Sequence, residues 1–489
     1  MISLATAPGL RRLLATVPPT LLALALGLWG ITRGDSMWRD EAITVRASHR
    51  TFGELMDNLS AIDAVHGLYY LMLNTISTGQ FADFGQYGEY GLYPLRVPSV
   101  VATALAAAGV AAVTARLSTP GAAVIAGCVY PVFPVVQRYT QEGRSYAAVT
   151  CCLVWATYVL VRALQSDRAV RWWVPYAVLM TLAGWLHIFA LLALLAHAVT
   201  VRLTSPTARR AHTVASAVAA GAVAPLALYA FAQRYQVDWL PRPGVGEWVP
   251  FLIWVALGAA AAATVKEGRT SLTANTVALP LLVLPPAVLL TVSMVKPMYT
   301  DRYVLIVWAA LAILVPQLAF ACAKAVRSRP AWATLAVVVT TVATTAFLLP
   351  QSLYLRSPES RQDDVLAVAR AVGSVAEHRD AVVYLPARRR DWLLATREVY
   401  GLLDDVAAKV SVENSASWWG VEYGPAEVRQ RILRQPRLIV LTDPPGVAQD
   451  EEVSATEQAK RQAIIDSGLI RCDTKDLPGA RVIVYARTC

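Results

Sequence analysis

Charged residues are scarce in this chain. Asp, Glu, Lys and Arg make up 16% of its 489 residues, where soluble domains carry about 25%. An ordinary water-soluble protein is excluded for most of the length. Histidine and cysteine are also few, at six each, and no Cys/His spacing suggests a zinc site. No Ser-His-Asp arrangement offers a covalent nucleophile, and there is no internal repeat or low-complexity segment. Arg11-Arg12 and the apolar run to Ile31 start like a secretion signal. No small-residue cleavage site follows, so a retained signal-anchor is expected. Cys128, Cys151, Cys152 and Cys322 lie in apolar runs and read as small hydrophobes. Cys472 and Cys489 could pair if their domain lies outside the cytoplasm.

Apolar sequence is abundant. Up to about Pro350 the chain is a series of apolar runs, each near the roughly 20 residues that cross a bilayer. The expected spans are 14–32, 95–116, 119–136, 144–163, 172–186, 188–203, 213–231, 249–265, 275–294, 303–322 and 331–349, eleven in all. The run 172–203 is split at Trp185-Leu186-His187, where a polar His fits a turn at the membrane edge. Short loops on one side hold Arg116, then Arg162, Arg168 and Arg171, then Arg202, Arg209 and Arg210, then Lys266 and Arg269, then Lys324, Arg327 and Arg329. The only acids among them are Asp167 and Glu267. Positive loops face the cytoplasm, so these residues, with Arg11-Arg12, place the N-terminus there. The net charge of +10 thus marks topology, not nucleic acid. The segment around Val65–Leu73 is too short to cross and reads as an interfacial helix in a first outer loop, 33–94. Thr51 and Glu54 form a capping-box pattern for another. From Ser357 the composition changes to that of a soluble domain. Apolar strands at Ala381–Leu385, Arg437–Leu441 and Arg481–Tyr485 alternate with helical stretches. A small α/β domain with a mostly parallel sheet is expected over 357–489, on the extracytoplasmic side.

With this topology the notable polar residues fall on one face. The first outer loop carries Trp38-Arg39-Asp40-Glu41-Ala42 and His66. Later outer segments hold Gln141, Glu142, Arg144 and Tyr146, then His187, then Lys296, Tyr299, Asp301 and Arg302. Each has an ordinary reading: Arg snorkels at span ends, and Tyr belongs to the aromatic belt. Together they suit one chemistry. A carboxylate deprotonates an acceptor hydroxyl. Arg gives bidentate contacts to phosphate and Lys a point charge. A phosphate leaving group needs positive charge as its bond breaks.

Four segments resemble the GT-C membrane glycosyltransferases, above all the family 39 group related to polyprenyl-phosphate-mannose mannosyltransferases. Trp38-Arg39-Asp40-Glu41-Ala42 is similar to the family's Asp-Glu motif. His66-Gly67-Leu68-Tyr69-Tyr70-Leu71 resembles its His-Pro-Pro-Leu-Tyr-Tyr segment, with Gly67 and Leu68 in place of the prolines. Gln141-Glu142-Gly143-Arg144-Ser145-Tyr146 resembles Gln-Glu-x-Arg-x-Tyr, and Arg302-Tyr303 the pair that opens a late span. The resemblance covers roughly 1–350, the expected transmembrane module.

It implies transfer of a sugar, mannose being the family's commonest, from a polyprenyl-phosphate donor, with inversion, in the plasma membrane of a bacterium. The acceptor would be a glycan, glycolipid or protein. Asp40 would be the general base and Glu41 a neighbouring site residue. Arg144, Arg302 and Lys296 would hold the donor phosphate. His66, Tyr69, Gln141, Glu142, Tyr146, His187 and Tyr299 would line the substrate pocket. Some GT-C enzymes use a divalent metal and others do not; the sequence requires none, and Asp40 and Glu41 are the ligands if one binds. A flippase for a lipid-linked sugar is the alternative. It would place ionisable residues at mid-membrane, whereas the charges here lie at span ends. A membrane scaffold would leave the outer motifs without a purpose.

Overall fold

The structure is a computed structural model that describes residues 8–78, 91–166, 169–238, 240–264, 271–326, 346–412, 414–415, 417–444 and 454–489. Two compact units make up the chain: Met1–Ile31, Asp63–Tyr69 and Arg96–Leu355 form one, and Thr32–Ile62, Tyr70–Leu95 and Arg356–Cys489 the other.

The first unit is helical. Six helices among the described residues are long and apolar enough to cross a membrane, among them Leu92–Leu117, Tyr146–Leu164 and Ala274–Ser293. A seventh follows if Pro120–Val132 and Pro134–Thr140 are one span bent by 67°. The bend falls at Phe133, between Pro131 and Pro134, as expected where proline removes helical N–H donors. Each of the first ten expected spans coincides with a helix or a broken pair. The eleventh, 331–349, lies largely outside the described residues, as do Asp167, Arg168, Lys266, Glu267, Arg269, Arg327, Arg329 and positions 79–90 of the first outer loop. The chain breaks where a membrane-edge turn was expected. Val170–Leu186 ends at His187, whose backbone is extended, and a short 3-10 turn leads into Leu192–Thr204. Small residues let these helices close up. A Cβ on Gly127 would lie 2.5 Å from the Pro19 ring, so only glycine permits that approach.

The second unit joins outer-loop helices to an α/β fold. Arg39–Ser48 and Phe52–Ala61 are both helical, and the Thr51/Glu54 capping box forms as expected. The strands are β1 (Asp380–Leu385), β2 (Leu403–Asp405), β3 (Ala408–Val410), β4 (Val421–Glu422), β5 (Arg437–Thr442), β6 (Ile470–Leu477) and β7 (Ala480–Ala486). The main sheet runs β2-β1-β5-β7-β6. Pairs β1·β2 and β1·β5 are parallel, and β5·β7 and β7·β6 antiparallel. The sheet is therefore mixed, not mostly parallel. Four strands were not expected from the sequence: β2, β3 and β4 are only two or three residues long, and β6, Ile-Arg-Cys-Asp-Thr-Lys-Asp-Leu, is largely exposed and has no apolar run to announce it. Val383, Leu438 and Val440 pack against Val428, Ile432 and Ala463 of the covering helices, and this is the domain's core. Cys472 and Cys489 are joined in a disulfide, with Cα atoms 5.4 Å apart.

Candidate active site

In the second unit the Asp-Glu motif opens the Arg39–Ser48 helix. Trp38, in extended backbone, is the N-cap, and Asp40 and Glu41 occupy the first turn. Acidic side chains are favoured there by the unpaired N–H groups of a helix start. The approach to this helix is unusual. Arg33, Gly34 and Asp35 have φ of 51°, 64° and 60°, three successive residues in the left-handed region. Only glycine takes that conformation freely, so Arg33 is strained. A buried ion pair holds it: the Arg33 guanidinium donates to the Glu41 carboxylate, and both side chains are fully buried. Glu41 thus braces the turn. Among the described residues no group of three or more His, Cys, Asp and Glu side chains is placed to hold a metal ion.

The same helix is held by the α/β fold of its own unit. Asp363 Oδ1 accepts from the backbone N–H of Arg39 at 2.8 Å, and Asp364 Oδ1 from that of Met37 at 3.3 Å. The Val365 N–H donates to the Met37 carbonyl at 2.6 Å. Further along, Arg46 donates to the Trp418 carbonyl and Arg50 to that of Val412, both at 3.1 Å. Both guanidinium groups also lie over the Trp418 ring, at 5.8 and 5.6 Å. Asp391 accepts from Trp419 Nε1 at 3.3 Å. Burial pushes the Asp391 carboxyl up to about 7, against the opposing charges of Arg39, Arg46 and Arg389. The stretches Arg388–Trp392 and Ser417–Gly420 are rich in basic and aromatic residues, a composition usual for exposed surface. Instead Arg389, Arg390, Asp391, Trp392 and Trp418 are buried. Arg389 pairs with Asp443, and Arg390 with Asp405 and Glu422, all within the α/β fold, while Trp418 packs under Arg46 and Arg50.

In the first unit a second constellation gathers from four separated segments. The His66 ring lies 5.8 Å from His187 and 6.1 Å from Tyr146, and His187 lies 5.9 Å from Tyr146. Tyr303 stacks on His187 at 4.3 Å. The Arg302 guanidinium sits over Tyr146 at 5.5 Å and over Tyr303 at 5.7 Å. Burial first, then the neighbouring His66, Arg302 and Arg144, holds the His187 pKa well below its ordinary value. His187 is therefore held neutral beside these cations. Arg144, Tyr146, His66 and His187 are each at most 6% exposed. Tyr139 donates to Asp301 at 2.8 Å and lies edge-on to Tyr146 at 5.6 Å, which fixes the segment carrying Arg302.

The other residues named from the sequence divide. Gln141 is spoken for: its amide donates to the carbonyls of Gly27 and Trp29, at 3.0 and 2.7 Å. It braces the end of the first span. Glu142 is buried, and its backbone carbonyl accepts from Ser99 Oγ at 2.6 Å. Tyr69 is buried, and Tyr299 nearly so; burial, then Asp301 and Glu247, raises the Tyr299 hydroxyl's pKa. Lys296 is half-exposed and paired with Asp238. Sequence reading missed Arg33, Asp363 and Asp391. Arg33 looked like any cation flanking a span, and the two acids lie over 320 residues from the helix they serve.

Comparison with known proteins adds to this geometry. A family model described as dolichyl-phosphate-mannose-protein mannosyltransferase matches residues 87–235. That stretch includes Gln141–Tyr146 and His187 but neither Asp40 nor Arg302. No match was found among curated protein sequences. Among solved structures, ArnT from Cupriavidus metallidurans bound to undecaprenyl phosphate is similar at TM-score 0.58 and 13% identity, over 96% of this chain and 97% of that one. Its apo form gives the same score and identity, over 96% and 98%. The apo oligosaccharyltransferase of Archaeoglobus fulgidus reaches TM-score 0.48 at 12% identity, over 88% of this chain and 69% of that one. The GT-C fold expected from the sequence, a multi-pass helical module with a C-terminal sheet domain, is the fold of this chain.

Proposed function

We propose that this chain is a membrane glycosyltransferase that moves a sugar from a polyprenyl-phosphate donor to an extracytoplasmic acceptor, with inversion. The observation that carries this reading is the cluster of buried Arg144, His66, His187 and Tyr146 with half-buried Arg302 over the Tyr146 ring. Two guanidinium groups kept beside a neutral imidazole and aromatic faces form a site for a phosphate anion. The likeness to a protein bound to undecaprenyl phosphate and the match to a mannosyltransferase family model support a lipid-linked donor and mannose as its sugar. The Cys472–Cys489 disulfide supports an extracytoplasmic C-terminal domain, with the N-terminus on the cytoplasmic side.

In the reaction the acceptor hydroxyl oxygen attacks the anomeric carbon on the face opposite the phosphate. Its proton passes to the Asp40 carboxylate. The bond from the anomeric carbon to the phosphate oxygen breaks, and its electron pair leaves with polyprenyl phosphate. Arg144 and Arg302 stabilise the charge that develops on that oxygen. His187, uncharged, orients the phosphate without competing for the acceptor proton. Glu41, closed off by Arg33, orients the turn and takes no part in proton transfer.

The test is transfer in membranes supplied with labelled polyprenyl-phosphate sugars, mannose first. Wild type should transfer, Asp40→Asn should lose at least 100-fold in kcat, and Arg302→Lys should mainly raise the donor KM, since Lys keeps charge but loses the planar fork. Full activity of folded Asp40→Asn would remove Asp40 as the base. No transfer by folded wild type from any donor would overturn the reading.

A further inference from the structure

The backbone at the start of the motif helix has an unusual owner. A helix start leaves N–H groups without intrahelical partners, and a nearby side chain usually accepts from them. Trp38, the N-cap here, makes no such bond with its side chain. The acceptor comes instead from Asp363, on the Arg39 N–H at 2.8 Å. Asp364 Oδ1 accepts from three N–H groups at once: Met37 at 3.3 Å, and Leu366 and Ala367 of its own helix at 3.1 and 3.2 Å. One carboxylate therefore caps the Val365–Gly373 helix and tethers the segment that leads to Asp40. The tether is backed from behind. The Asp364 N–H donates to the Pro478 carbonyl at 3.3 Å in the β6–β7 turn. Gly479 in that turn has φ of 74°, and a Cβ there would lie 2.5 Å from Asp363 Cβ and 2.7 Å from the Gln362 carbonyl. The hairpin, the Gln362-Asp363-Asp364 turn and the Met37–Asp40 segment form one packed series.

We propose that Asp363 and Asp364 are positioning residues for the proposed base: the C-terminal domain fixes the backbone from Met37 to Arg39, and through it the place of the Asp40 carboxylate. This rests on the reading of Asp40 as the base, and it gives the C-terminal domain a part in catalysis. What Asp363 supplies is an acceptor oxygen on the Arg39 N–H, and the amide oxygen of Asn offers an acceptor at the same place.

The test uses the full-length protein in membranes or detergent, with Asp363→Ala, Asp363→Asn and Gly479→Ala beside Asp40→Asn. Two readouts are taken. Amide hydrogen exchange over residues 37–43 should quicken at least tenfold in Asp363→Ala and Gly479→Ala and stay within twofold of wild type in Asp363→Asn. In transfer assays the first two should lose at least tenfold in kcat with the donor KM within twofold, and Asp363→Asn should keep wild-type kcat. Unchanged exchange over 37–43 in Asp363→Ala overturns the tether whatever the enzyme does. Quickened exchange with unchanged kcat overturns the link to catalysis. Equal losses in Asp363→Ala and Asp363→Asn show that charge, not the acceptor oxygen, is required, and that also overturns it. Failure of wild type to transfer any sugar tells against the function alone, because exchange still decides the tether. Gly479→Ala leaves both carboxylates in place, so its result does not depend on how well the Asp363 variants fold.

Discussion

Replacing Asp391 by Asn should stabilise the α/β unit, and by more at higher pH. The Asp391 carboxyl is buried, and its pKa stands at about 7 against 3.8 for the free group. Below pH 3.8 folded and unfolded chains both hold the proton, and the group favours neither. Between 3.8 and about 7 the folded state keeps a proton that the unfolded state has released, so stability falls as pH rises. Above that window the whole penalty applies. At about 1.4 kcal/mol per unit the full shift is worth roughly 4 kcal/mol, and the part crossed between pH 5 and pH 8 about 3 kcal/mol. Asn has no such window, and its side-chain oxygen can still accept from Trp419 Nε1. For a unit of this size 1 kcal/mol moves Tm by about 2–4 °C. The variant's Tm should therefore gain on wild type by about 6–12 °C between pH 5 and pH 8. Asp363 and Asp364, whose pKa values burial also raises, are common to both proteins and cancel in the comparison. The assay is intrinsic tryptophan fluorescence during heating in detergent, across that range. A Tm difference that stays flat with pH would refute the reasoning. It would show that Arg39, Arg46 and Arg389 offset the burial of an ionised Asp391.

Two further perturbations follow from the same unit. Arg33→Met should cost about 3–5 kcal/mol, since it leaves Glu41 charged and buried. The double variant Arg33→Met/Glu41→Gln should recover part of that loss in thermal melting, and strict additivity would mean the pair does not interact. Changing Cys472 and Cys489 together to Ser removes a cross-link over 17 residues, a loop whose closure is worth about 3 kcal/mol. Melting of the α/β unit should fall by several degrees while the helical unit's transition stays in place, and an unchanged Tm would rule out that contribution.

What the sequence made legible, and what it hid, follows from the range of the forces involved. Helices of the first unit were readable because an apolar run of span length has one use, and their breaks fall at Pro131, Pro134 and His187. Arg144, Arg302, His66 and His187 were readable because ionisable residues at span ends on one face form a pattern that the apolar runs around them leave in plain view. Lys296 fitted the same pattern but is paired with Asp238 at the surface, a choice of partner that no local pattern encodes. Strand β6 was illegible because its exposed face removes the apolar signal.

The Asp-Glu motif shows the deeper limit. Its residue types announced chemistry, yet the two acids are separated by their partners and not by their neighbours in sequence. Glu41 faces Arg33 across a left-handed turn, and that buried pair holds a strained backbone that would otherwise relax. Asp40 follows a backbone N–H held from the far end of the chain. Two like charges in adjacent positions would ordinarily compete for the same proton. Glu41 pairs with a buried guanidinium, and the proposed function assigns the acceptor's proton to Asp40. An Arg33→Met enzyme should accordingly lose transfer even where it stays folded, and Glu41→Gln, which still accepts from Arg33, should retain it. The opposite order of effects would return Glu41 to the chemistry.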